Sequence, residues 1–356
     1  MIQKAVRQTL DRFFLCFIAE RNVPMKTKAL GVVNLCVPCS AQCRYCLLDS
    51  CHKSTGVSYE RGKSLARRMD AEIRQTRPEI HFFYYIGYCM DTPHLPDYIR
   101  FCREMGYASG SFLQMNGFRF REEKEYKALF QLLHALGENS VDFTFYGNRE
   151  YHDAFAGRNG DYDQLLFMLN AAVEAGISAE ISAPLFRSNL HMADELVKIW
   201  EQHQPSSLRF FLPHDKGRGK SLSWERLTKS EFTGLSEKVK AHFSRIPHMT
   251  EAEWIAKGQF DDYTDRSLTL NLRPNEMERW ESMTASDILA YLEKLDDQYL
   301  TQMPSARRLA SLYGNSSNDQ LFRLRDLLLR WQQMYIWDNP FVYDMHDETH
   351  HFSVHA

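Results

Sequence analysis

The sequence predicts an α/β fold: a partial (β/α)6 TIM-like barrel followed by a mainly helical C-terminal extension. Three observations predict it. Six short apolar strand candidates recur between residues 30 and 212, helical patterns fill the intervals, and several of those helices stop at a glycine. Strands alternating with helices make a parallel sheet with right-handed crossovers. Eight such units would close a full barrel, so six units before residue 224 leave a partial one.

The first strand is expected over 30–35 and the second over 80–86, with a helix over 59–76 between them. A helix over 96–105 ends at Met105-Gly106 and leads to a third strand over 111–115. A helix over 122–136 precedes the fourth strand, 140–145. There Val141, Phe143 and Phe145 alternate with Asp142, Thr144 and Tyr146, and a period of two puts the polar set on one face. A helix over 162–175, stopped at Ala175-Gly176, leads to a fifth strand over 178–185. A helix over 192–202 leads to a sixth strand over 208–212. The domains therefore read as 1–29, an amphipathic N-terminal helical extension; 30–222, the barrel; and 223–356, the C-terminal extension. In the last, helices are expected over 285–300, 306–313 and 319–335, with a hairpin around 268–275. Leu321, Leu324, Leu327, Leu328 and Trp331 form an apolar stripe at helical spacing, read as a core-packing face.

Composition narrows the class. A chain of 356 residues with 44% hydrophobic and 25% charged residues has ordinary globular make-up. A net charge of −3 gives no electrostatic footprint for bulk nucleic acid or membrane surface, and neither is expected as a partner. No run of 18 apolar residues suggests a spanning helix. Residues 1–25 do not read as a signal peptide, since Phe13, Phe14, Leu15, Phe17 and Ile18 run into Glu20 and Arg21 instead of a small-residue cleavage site. The eight cysteines all lie between Cys16 and Cys102, which is no disulfide framework and fits a reducing cytoplasm.

Three of those cysteines carry the chemistry. Cys39, Cys43 and Cys46 are spaced C-x3-C-x2-C just beyond the first strand. Three thiolates on one loop can hold three irons of a [4Fe–4S] cluster and leave the fourth iron without a protein ligand. An open metal position is where chemistry happens. A zinc ribbon would need two C-x2-C knuckles a dozen or more residues apart, and a ferredoxin run would read C-x2-C-x2-C-x3-C-P; neither matches. Cys36, three residues before Cys39, and Cys51-His52 keep a second reading open: a closed four-ligand iron–sulfur or zinc site in a non-catalytic binding protein.

With Tyr45 just before the third cysteine, the motif resembles the signature of the radical S-adenosylmethionine (SAM) superfamily. The resemblance covers residues 30–220 and implies the same (β/α)6 core. It implies two cofactors, a [4Fe–4S] cluster and S-adenosyl-L-methionine, and an electron donor such as flavodoxin or ferredoxin. The open iron would chelate the amino and carboxylate groups of SAM. Reductive cleavage would give a 5′-deoxyadenosyl radical that takes hydrogen from a substrate.

In such barrels ligands gather at the C-terminal strand ends, and the resemblance assigns candidate SAM contacts there. Cys89-Met90-Asp91 stand where the family has Gly-Gly-Glu, so Met90 and Asp91 face the SAM amino group with both glycines replaced. Tyr45 on the cysteine loop, Asn116 after the third strand, Thr144 on the fourth, and Ser182 and Asn189 on and after the fifth complete the set. Glu180 shares a face with Ser182 and, if buried, needs a partner; Arg209 on the sixth strand is the expected one. Residues 146–163 resemble the segment after strand four in SPASM and twitch members, many of them peptide maturases. His152 there is read as a structural hydrogen bond ahead of a proton shuttle. Arg218, in a Gly-Arg-Gly turn like that of the same clade, either binds a carboxylate in bidentate fashion or is an exposed turn. No cysteine lies beyond Cys102, so no auxiliary cluster is expected. The substrate is a peptide or small molecule, and no residue is assigned as catalytic. The tail carries His346, His350, His351 and His355 and reads as a flexible end.

Overall fold

The computed structural model describes residues 25–34, 39–47, 57–86, 91–106, 113–260, 264–340 and 349–352. Residues 1–24 of the N-terminal extension lie outside these, as do Cys36, Cys51, Cys89 and Met90.

Strands and helices alternate as expected: β1 (Lys26–Asn34), α1 (Tyr59–Thr76), β2 (His81–Ile86), α2 (Leu95–Glu104), β3 (Leu113–Gln114), α3 (Glu123–Ala135) and β4 (Ser140–Thr144). Two helices follow, α4 (Arg149–Ala156) and α5 (Asp161–Glu174), then β5 (Ser178–Pro184), α6 (Ala193–His203) and β6 (Ser207–Phe211). The two-residue alternation shows in which face each side chain takes. Val141, Phe143, Ile181 and Phe210 join Leu65, Met69, Phe130, Leu165 and Leu196 of the helices in one continuous core. Their sheet neighbours Asp142, Thr144, Ser182 and Arg209 take the opposite face. The strands pair in parallel, β1 with β2, and β3 with β4, β5 and β6 in turn, so all six send their following loops to one end.

The C-terminal part holds α7 (Lys229–Thr233), α8 (Glu237–Ala241), β7 (Met249–Thr250), α9 (Glu251–Lys257), β8 (Asp265–Leu272), α10 (Met277–Ser282), α11 (Ala285–Gln302), α12 (Ala306–Tyr313), β9 (Leu321–Phe322), α13 (Leu324–Asp338) and β10 (Thr349–Phe352). Two expectations are corrected here. Residues 268–272 do not start a hairpin: β8 lies parallel to β1, Gly31 opposite Thr269, and adds a seventh parallel strand. Its Leu268, Leu270 and Leu272 face the main core, which rewards that position. The described part of the tail is also no loose end. Strand β10 runs antiparallel on β8, giving the order β10-β8-β1-β2 beside a second sheet β3-β4-β5-β6. His351 Nε2 reaches Asp296 Oδ1 at 2.9 Å, and Arg266 Nη1 donates to the other Asp296 oxygen at 2.9 Å. The apolar stripe behaves as expected, with Leu327, Leu328 and Trp331 in a second core with Trp254, Tyr299 and Leu309.

Candidate active site

The cysteine loop, residues 39–47, is built into the end of the barrel by backbone hydrogen bonds. Ser40 N donates to Gly117 O after β3 at 2.9 Å, and Ser40 Oγ donates to the same carbonyl at 2.7 Å. Gln42 N donates to Ala156 O at 2.8 Å and Arg44 N to Phe155 O at 2.9 Å, so the end of α4 grips the loop's middle. Arg218 N donates to Cys46 O at 2.8 Å, and His214 N to Tyr45 Oη at 2.8 Å, which tie its far end to the segment after β6. The packing there is close. A Cβ on Gly217 would lie 2.4 Å from the carbonyl oxygens of Cys46 and Leu47, and its φ of +54° is one that side chains disfavour.

The segment after β4, singled out by resemblance, proves to be the scaffold behind this loop. Asn148 caps α4 by accepting from Tyr151 N at 3.0 Å, and Gly157 at φ +65° ends it. Asp153 caps α5, accepting from Gly160 N at 2.6 Å and Tyr162 N at 2.8 Å. His152 is buried; its Nδ1 accepts from Tyr146 N at 3.2 Å and its Nε2 sits 3.1 Å from Asp161 Oδ2. Burial would raise the Asp161 carboxyl, yet His152 and Arg158 hold it below the usual carboxylate range. Both ring nitrogens of His152 are engaged within the scaffold, in keeping with a structural hydrogen bond.

Cys39, Cys43 and Cys46 are half-buried thiols in no disulfide. Burial pushes the Cys43 thiol up to about 12, opposed by a hydrogen bond from the Tyr146 hydroxyl; Cys39, Asp161 and Cys46 lie near enough to add to the rise. Such a thiol loses its proton when a metal supplies the compensating charge. Among the described residues no group of three His, Cys, Asp or Glu side chains is arranged to hold a single metal ion. The donors nonetheless suit an iron–sulfur cube: three soft thiols on one loop, with a hydroxyl donor behind one sulfur.

The other sequence-predicted residues fall into two groups. Several are already engaged. The Asn189 amide, fully buried, donates to Tyr146 O at 2.7 Å and Pro184 O at 2.9 Å and accepts from Phe186 N at 2.7 Å. Tyr45 is buried edge-on against Phe186 with ring centroids 5.6 Å apart. Asp91 accepts from Arg119 N at 2.7 Å and from Arg121 Nη2 at 2.5 Å, tying the loops after β2 and β3. Asn116 pairs with the Thr144 backbone, accepting from its N at 2.6 Å and donating to its O at 2.8 Å.

Ser182 belongs to a polar rung across the second sheet. Gln114 Nε2 donates to Asp142 at 2.5 Å, Ser182 Oγ donates to the other Asp142 oxygen at 2.7 Å, and Arg209 Nη2 donates to Ser182 Oγ at 3.1 Å. Burial raises the Asp142 carboxyl against those bonds, and Glu180 nearby adds to the rise. Glu180, for which Arg209 is the expected partner if buried, is half-buried, and Arg209 bonds Ser182; Asp142, marked by the polar alternation of β4, had no role assigned. Also missed were Tyr146 as the donor to Cys43, and Glu225, which is 1% exposed and accepts from Arg44 Nη2 at 3.0 Å.

The chain is a parallel partial barrel that offers a C-x3-C-x2-C loop beyond its first strand. No family model and no curated protein matches it. Among solved structures, Streptococcus suis SuiB bound to precursor peptide SuiA is similar with a TM-score of 0.48 at 10% identity, over 72% of this chain and 61% of SuiB. The chain thus spans less than two thirds of SuiB. Native anSMEcpe with bound AdoMet gives a TM-score of 0.48 at 13% identity, over 87% of this chain and 97% of that one. Escherichia coli coproporphyrinogen III oxidase HemN, a radical SAM enzyme, gives 0.40 at 14% identity, over 90% and 93%. These are likenesses of arrangement, and what those proteins bind is a property of those proteins.

Proposed function

We propose that this chain is a radical SAM enzyme that cleaves S-adenosylmethionine reductively and takes hydrogen from a peptide or small-molecule substrate. The observation that carries the reading is the cysteine loop, three thiols at the C-terminal end of a parallel barrel with the loops of β3, β4 and β6 bonded to it. Cys39, Cys43 and Cys46 would hold the cluster. Bound there, a [4Fe–4S] cluster supplies an electron to SAM and an open iron for its amino and carboxylate groups.

The chain's own residues then divide the work. Thr144, half-buried on the polar face of β4, is the side chain offered to SAM, and Ser182 orders that face through Asp142 and Arg209. Tyr45, Asn116 and Asn189 shape the backbone around it, since their polar atoms are engaged with the protein. Asp91 holds the β2 and β3 loops together beside Met90, which lies outside the described residues. Flavodoxin or ferredoxin would supply the electron, and the cytoplasm is the setting; among the described residues no helix is long and apolar enough to cross a membrane.

The test is anaerobic reconstitution with iron and sulfide, followed by electron paramagnetic resonance of the reduced protein with and without SAM. The reading expects about four irons per chain and a signal that SAM alters. Alanine at Cys39, Cys43 or Cys46 should abolish both, while Cys102→Ala, a thiol that burial pushes up to about 11 against a hydrogen bond with Tyr98, keeps them. Bound zinc, or a signal indifferent to SAM, would favour the closed four-ligand site.

A further inference from the structure

We infer that the segment following β6 and the start of α13 clamp the two residues between Cys43 and Cys46, which makes Glu225 and Asp326 positioning residues for the cysteine loop. Arg44 and Tyr45 are all that separates those cysteines, and both are held by residues from 213 onward. Arg44 Nη2 donates to Glu225 Oε1 at 3.0 Å, and the second Glu225 oxygen accepts from the Ser188 hydroxyl. Glu225 is 1% exposed, and Arg44 is the cation paired with it. Tyr45 Oη is fixed by His214 N at 2.8 Å. The His214 ring in turn meets Asp326 Oδ1 at 3.4 Å and the Arg323 guanidinium. Arg323 grips both Asp326 oxygens, from Nε at 2.7 Å and Nη2 at 2.9 Å, with Asp326 fully buried. A run of contacts therefore leads from α13 through His214 to Tyr45, and a second leads from Glu225 to Arg44.

With only two residues in the interval, turning either one moves the Cys43 and Cys46 sulfurs relative to each other. Partners that orient the ligands of a metal site tune its affinity and properties as the ligands do. The proposal rests on the cluster reading for its consequence, yet the clamp itself is testable without a cluster.

Hydrogen–deuterium exchange on the full-length protein without iron compares wild type with Glu225→Gln and Asp326→Asn. The clamp predicts about tenfold faster exchange over residues 39–47 in each variant, with β4 unchanged, as expected for loss of one charge-assisted bond. Acceleration confined to α13 would overturn it, because these groups would then only fasten the extension. Arg44 is half-exposed, and Arg44→Gln removes the charge from the loop's side of the pair while keeping a donor for Glu225. It must accelerate the same segment, and unchanged exchange would equally overturn the clamp. In reconstituted protein the Glu225 and Asp326 variants should alter the resonance spectrum of the reduced cluster; identical spectra would refute a positioning role. A wild type that binds no iron would count against the proposed function and leave the exchange result standing.

Discussion

Tyr146 shows what a single residue adds to this site. Its hydroxyl is hydrogen-bonded to Cys43, while its ring packs 4.4 Å from that of Phe155. Phenylalanine keeps the packing and removes the donor. A thiolate ligand with one fewer hydrogen bond is richer in electrons, so Tyr146→Phe should lower the cluster's reduction potential by on the order of 50 mV. A redox titration followed by absorbance reads this, and an unchanged potential would mean that the hydroxyl does not act on the bound sulfur. Single residues were also where sequence reading was weakest. Asn189 has the right chemistry for a SAM contact, but an amide in a loop looks the same whether it meets a ligand or three backbone groups. The cysteine loop was legible as a unit because C-x3-C-x2-C spacing puts three thiols in one short segment, and the structure bonds that segment to the strand ends.

Among the elements, the turn after β6 matters most to the loop. Alanine at Gly217 would force a side chain into left-handed backbone and against two carbonyl oxygens 2.4 Å away. The conformational cost alone is about 1–2 kcal/mol. Gly217→Ala should lower the thermal midpoint and weaken iron retention together, measured by calorimetry and iron assay; a variant matching wild type in both would show that the close approach is not required. The strands of the barrel were readable because Val141, Phe143 and Phe145 alternate with polar neighbours, and several of the helices between them ended at a glycine. Strand β8 alternates equally well through Leu268, Leu270 and Leu272. It was misplaced because alternation declares a strand without declaring its partner, and β1 lies more than two hundred residues away. The tail's place on β8 was hidden for the same reason.

On the scale of the whole molecule, the extension and the barrel meet around His214, His248, Arg323 and Asp326. Burial, with help from the Arg323 charge, pushes the His248 imidazole down to about 4. An unfolded histidine titrates near 6.5. Between those values the unfolded chain binds the extra proton, so stability should fall as pH drops from about 6.5 towards 4. Allowing for solvent at a partly exposed ring, the loss is on the order of 1 kcal/mol at pH 5. Chemical denaturation across that range should show it, with a shallower fall in His248→Gln; the same slope in both proteins would assign the effect elsewhere. The central claim concerns the barrel mouth, and one assay meets it most directly. Full-length protein, reconstituted anaerobically with iron and sulfide, is reduced with dithionite in the presence of SAM, and 5′-deoxyadenosine is followed by mass spectrometry. Slow formation is expected without any substrate, and none in Cys43→Ala. Iron-loaded wild-type protein that leaves SAM intact would contradict it.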